Sequence, residues 1–87
     1  MAGEKKLETL MASLNKLFAD FNNTDSDGRV RLNTKGTLDE IHDKRIELRA
    51  GLEVILDDDD GLTTLGVVEF SDSENIWVAK INWKEIN

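Results

Sequence analysis

Carboxylates are the side chains whose spacing in this sequence could do chemistry, and two runs of them could hold a hard cation. In Asn23-Thr24-Asp25-Ser26-Asp27-Gly28, oxygen donors recur at every second position and a glycine follows. A calcium-binding loop begins in this way, and its ligands here would be Asp25 and Asp27. The twelfth position of such a loop supplies a glutamate that grips the ion with both oxygens. In this sequence that position is Thr34. Weak calcium or magnesium binding is the most the segment offers, and an Asx-rich turn is the simpler reading. The second run is Asp57-Asp58-Asp59-Asp60. Consecutive side chains of an extended segment alternate in direction, so four adjacent carboxylates do not converge on one ion by themselves. A solvated hairpin loop accounts for them, with salt screening their repulsion. Acting as an acidic mimic of nucleic acid would need carboxylates aligned along one face.

Acid–base and covalent chemistry find less support. His42 is the single histidine, with Asp39, Glu40 and Asp43 close to it in sequence. No serine sits in a nucleophile elbow, and the chain has no cysteine. Neither a glycine-rich phosphate loop nor a metal-binding histidine spacing is present. The sequence therefore predicts no catalytic residues and no resident cofactor. Surface recognition remains. Trp77, Ala79, Ile81 and Trp83 alternate onto one strand face, which suits core burial, and Trp83, near the C-terminus, is a candidate interaction residue.

The elements that must position these groups show in the hydrophobic period. Leu7, Leu10, Met11, Leu14, Leu17, Phe18 and Phe21 follow the i, i+3, i+4, i+7 pattern. They predict an amphipathic helix over about 4–22, roughly 28 Å long. Its stripe needs a cover, either its own sheet or a second copy meeting it through Leu7, Leu10, Leu14, Leu17 and Phe21. Arg29-Val30-Arg31-Leu32 reads as a short strand, and Lys35-Gly36 as a break. Thr37-Leu38-Asp39-Glu40 fits a capping box that opens a helix of about two turns, with Thr37 as N-cap. From Leu52 the period changes to two. Strands near 52–56, 62–70 and 76–83 then form an antiparallel meander. Its second face carries Ile55, Val67 and Val78 among Glu53, Glu69 and Lys80, and the first helix is the element expected to cover it.

Eighty-seven residues make one domain, with 1–22 as helix and 29–87 as sheet core. The net charge is −7, with 11 basic residues against 18 acidic, which argues against nucleic acid as a partner. The charge is uneven: residues 37–87 hold 5 basic and 13 acidic groups, or −8, and residues 1–36 hold 6 and 5, or +1. No apolar run reaches the roughly 18 residues of a membrane span and no signal-peptide pattern is visible. Absence of cysteine fits a reducing compartment, so a cytoplasmic location is expected.

Residues 29–83 resemble small bacterial proteins of uncharacterised function. The resemblance is carried by Arg29-Val30-Arg31-Leu32, Gly36-Thr37-Leu38-Asp39-Glu40, Leu48, Gly51-Leu52, Gly66-Val67-Val68-Glu69-Phe70 and Trp77-Val78-Ala79-Lys80-Ile81-Asn82-Trp83. The later strands look like those of a small Src-homology-type β-barrel, which implies a β-domain and supplies no site. The expected architecture is α+β. A long N-terminal amphipathic helix packs on a small four-stranded antiparallel sheet or partial barrel, with a short second helix. The expected function is an acidic, non-enzymatic protein-interaction module acting on a protein partner or as a homodimer. A weak divalent-cation binder and an acidic nucleic-acid-mimic inhibitor are the alternatives.

Overall fold

The computed structural model describes residues 14–86. Among the described residues five strands and one helix follow one another: β1 (Asn15–Phe18), β2 (Val30–Arg31), α1 (Lys35–Asp43), β3 (Glu53–Asp57), β4 (Thr63–Ser71) and β5 (Ile76–Ile81). They form one sheet in the order β1-β3-β4-β5-β2. β1 pairs with β3 in parallel and every other pairing is antiparallel.

This corrects the expected architecture in two ways. The sheet has five strands and is mixed, not four-stranded and antiparallel. Residues 15–18, expected inside a long helix, are the strand β1; the earlier residues of that expected helix, 4–13, lie outside the described residues. The physical reason is an ambiguity of spacing. Leu17 and Phe21 are four apart, which fits a helical face and also a period of two. Ala19, buried between them, completes the alternation Leu17, Ala19, Phe21. Asn15, Asn22 and Asn23, weak helix formers, flank the stretch.

Five strands laid flat would separate β1 from β2 by about 19 Å, at roughly 4.8 Å per gap. Yet the chain leaving β1 reaches the far edge of β2 within a few residues. Thr24 bridges Val30, and the N–H of Arg31 donates to the Asn23 carbonyl at 2.9 Å. The five steps from Phe18 to Asn23 cover at most about 18 Å, so the sheet must curl to bring its edges together. The concave face then becomes the core. Leu17 on β1 lies opposite Leu56, Val54 opposite Gly66, and Val68 opposite Ala79, which is paired in turn with Val30. All of these residues are buried. Gly66 leaves room for the side chains of Leu56 and Ala79 to approach the strand between them. A Cβ there would stand 3.1 Å from Leu56 Cδ1 and 3.3 Å from the Ala79 Cβ.

The outer edge of β1 is closed by side chains of α1, not by another strand. The Ala19 N–H bonds the Asp57 carbonyl, so odd-numbered residues face β3, and the polar groups of Lys16 and Phe18 face away. Thr37 Oγ1 donates to the Phe18 carbonyl at 2.6 Å, and the Phe18 N–H donates to Glu40 Oε1 at 2.9 Å. Lys44, the C-cap, donates from Nζ to the Lys16 carbonyl at 2.7 Å. Spaced at i, i+3 and i+7, these three lie along one side of the helix. An edge that would invite pairing with another chain is thereby occupied.

Thr34, not Thr37, is the N-cap: its Oγ1 accepts from the Thr37 N–H. The helix thus begins three residues earlier than the capping-box pattern predicts, and Gly36 lies within its first turn, where it does not break it. That glycine admits the Phe18 ring, which an added Cβ would meet at 3.0 Å. Since α1 runs along β1, it does not cover the convex sheet face. Of the residues on that face Val78 is fully buried, Ile55 and Val67 are half-buried, and Leu65 is 46% exposed. Among the described residues no helix is long and apolar enough to cross a membrane.

Candidate functional site

The Asp25 carboxylate is turned inward. Its Oδ1 accepts from the N–H groups of Asp27 and Arg29, both at 2.9 Å, and Oδ2 meets Arg29 Nε at 2.9 Å. Its side chain is only 5% exposed. Burial by itself would raise this carboxyl; the Arg29 N–H, the guanidinium and the Asp27 N–H outweigh it and hold the group below its ordinary 3.8. Arg29 also reaches Glu69 on β4 at 3.2 Å. Asp27 points to solvent, 3.8 Å from the same guanidinium. Arginine therefore holds the place between these carboxylates where a cation would sit. Gly28, at φ +78°, turns the chain here, and its carbonyl accepts from Trp83 Nε1 at 2.8 Å.

In the 57–60 run the first two aspartates serve the hairpin. Asp57 accepts from the Asp59 N–H and pairs with Lys16 at 3.1 Å, and these hold its carboxyl below the ordinary value. Asp58 Oδ1 accepts from the N–H groups of Asp60 and Leu62. Asp59 and Asp60 are exposed. No group of three or more His, Cys, Asp or Glu side chains placed to hold a metal ion occurs among the described residues. His42 is exposed, and its nearest carboxylate is that of Asp43 at 3.4 Å.

The residues expected to form an interaction stripe separate. Leu7 and Leu10 lie outside the described residues, and Leu14 is half-buried. Leu17 and Phe21 are buried in the chain's own core, where a second copy could not touch them. Trp83 is 43% exposed and stands edge-on to Phe21, with ring centroids 6.3 Å apart. Its indole N–H is already bonded to Gly28, so only part of the ring faces solvent.

What the structure assembles instead is an apolar groove of about 490 Å³ between α1 and the start of β5. Leu38 and Ile41, one helical turn apart, contribute from α1. Ile46 and Leu48 come from the extended chain after it. Ile46 is drawn in because its N–H bonds the Ile41 carbonyl at 3.0 Å. Leu32 and Trp77 are set side by side by a bond from the Leu32 N–H to the Trp77 carbonyl at 3.0 Å. Trp77 is braced from its other side by Phe70, edge-to-face at 5.0 Å. Leu32 and Ile46 are buried and form the deep part, while Leu38 is 51% exposed at the mouth. Asn33 and Asn75 supply the polar lining, and among the described residues no titratable side chain lines the groove.

The short helix expected after Thr37 carries Leu38 and Ile41 at i and i+3, which places them on one face. A usable signal was that Ile46 and Leu48 alternate in a segment with no strand partner. Apolar side chains there must meet something. The chain matches no protein-family model, no curated protein and no solved structure.

Proposed function

We propose that this chain is a small acidic, non-enzymatic protein-interaction module of the cytoplasm, which receives apolar side chains of a protein partner in the groove between α1 and β5. The groove is the observation that carries the reading. Seven of its nine lining residues are apolar, and its volume of about 490 Å³ is that of a ligand pocket. A polar or charged small molecule would find two amides there and no counter-charge. Apolar side chains presented by a helix or an extended segment would bury surface against Leu38, Ile41 and Trp77, and Asn33 and Asn75 could bond the backbone beside them.

A photo-crosslinking amino acid at position 38, with position 65 on the convex face as control, tests this. The expected result is one discrete protein adduct from position 38 and none from position 65. The captured protein, titrated with purified chain, should bind at least tenfold more weakly when Ile41→Asp is introduced. Equal labelling from both positions, or an affinity indifferent to Ile41→Asp, would overturn the reading.

A further inference from the structure

The groove has no cover among the described residues, and its position relative to the start of β1 singles out an occupant. Lys44 Nζ is bonded to the Lys16 carbonyl at 2.7 Å, which ties the end of α1 to the first residues of β1. Ile46, in the deep part of the groove, follows two residues later. The chain preceding β1 thus joins the fold close to one end of the groove. Thirteen residues precede Leu14. They reach roughly 20 Å at a helical rise and about 45 Å when extended, enough to lie along the groove either way. Their sequence carries Leu7, Leu10 and Met11 at i, i+3 and i+4. That is the anchor spacing with which an amphipathic segment fills an apolar groove. Their charged side chains are Glu4, Lys5, Lys6 and Glu8, which balance, so docking brings no net side-chain charge against a lining that has none.

We propose that the opening segment of the same chain occupies this groove through Leu7, Leu10 and Met11 when no partner is bound. The proposal rests on the groove being a docking site for apolar protein side chains. It adds the identity of the resident occupant.

The chain has no cysteine, so Ala2→Cys gives a single attachment point for a nitroxide label on the full chain. Amide signals of Ile41, Ile46, Leu48 and Trp77 should lose at least half their intensity in the oxidised state. Those of Ile55, Leu65 and Val67 on the convex face should keep theirs. Adding Leu10→Asp to the labelled chain should restore the groove signals. The proposal falls if the groove signals are unattenuated, if the convex face is attenuated instead, or if Leu10→Asp leaves the attenuation in place. It also falls if an isotope-labelled chain without the nitroxide is attenuated equally when mixed with the spin-labelled chain, since the occupant is then a second copy. This measurement uses the chain alone and the crosslinking measures an external partner, so either can fail while the other stands.

Discussion

Replacing Thr37 by valine tests how α1 is fixed to the sheet, and the proton directions at this site determine the expected cost. Thr37 is fully buried, and its Oγ1 lies 2.6 Å from both the Phe18 carbonyl and Thr34 Oγ1. A carbonyl only accepts, so the single Thr37 hydroxyl proton goes to Phe18, and Thr34 must donate to Thr37. Thr34 Oγ1 in turn accepts from the Thr37 N–H. Valine keeps the shape and the β-branch but orphans the Phe18 carbonyl and deprives the Thr34 hydroxyl of its acceptor. An unsatisfied buried group costs about 1–3 kcal/mol. Phe18 and Thr34 are half-buried, so water recovers part of this and about 2 kcal/mol is expected. At roughly 4–8 °C per kcal/mol for a domain of this size, Tm should fall by about 8–16 °C. Serine keeps both hydrogen bonds and loses one methyl group, about 1 kcal/mol or roughly 4–8 °C. Calorimetry or thermal circular dichroism on both variants decides the matter. If Thr37→Val is as stable as Thr37→Ser, the hydroxyl is not what fastens the helix to β1, and the account of the closed edge fails.

Asp25→Asn should reduce the acid sensitivity of folding. The carboxyl titrates below 3.8 in the folded chain and near 3.8 when unfolded, so the unfolded state binds more protons between those values and stability there rises with pH. The contribution is complete above the unfolded value and lost as pH falls through the folded one. Urea titrations should therefore show wild type and variant furthest apart above about pH 5 and converging below 3.8; a constant gap would refute the assignment. Gly66→Ala should cost about 1–3 kcal/mol by overpacking against the Leu56 side chain and the Ala79 Cβ. The double variant with Ala79→Gly should lose less than the sum of the two single variants, and additive losses in denaturant titrations would show that the two positions do not compete for space.

How far the fold could be read from the sequence depended on where one period explains the residues and two do not. In β3 more and less buried residues alternate, Val54 and Leu56 buried against Glu53 and Ile55, and β5 carries the β-branched and aromatic residues Ile76, Trp77, Val78 and Ile81 in one short run between polar turns. A helix does not reproduce that order, so these strands were legible. At 14–21 the leucines and phenylalanines fit both periods, and the tie is broken by something local pattern does not contain. β3 presents an unpaired edge 35 residues or more along the chain, and pairing with it satisfies backbone groups of β1 that the sequence cannot assign. Thr37 failed as a predicted N-cap for a related reason. Its hydroxyl is required at β1, and Thr34 takes the capping position.

The same reasoning separates the acidic runs from the groove. Asp25, Asp57 and Asp58 stood out because carboxylates at short spacing resemble a ligand set. Each is engaged by N–H groups of its own turn, and Asp25 and Asp57 also by a cation from within the chain. An aspartate at the head of a turn bonds the N–H groups two to four residues on, so a chain with three tight polar turns accumulates Asp whether or not it binds an ion. The groove gave the opposite signal, ordinary residues in unremarkable order. Leu38, Ile41, Ile46 and Leu48 acquire meaning only once the bond between Leu32 and Trp77 sets β2 against β5 opposite them. For this chain the informative quantity was apolar surface with nowhere to go. The apolar residues of 38–48 that line the groove are one stretch of such surface, and the sequence before position 14 carries Leu7, Leu10 and Met11, which is why the test that matters most asks whether the two meet.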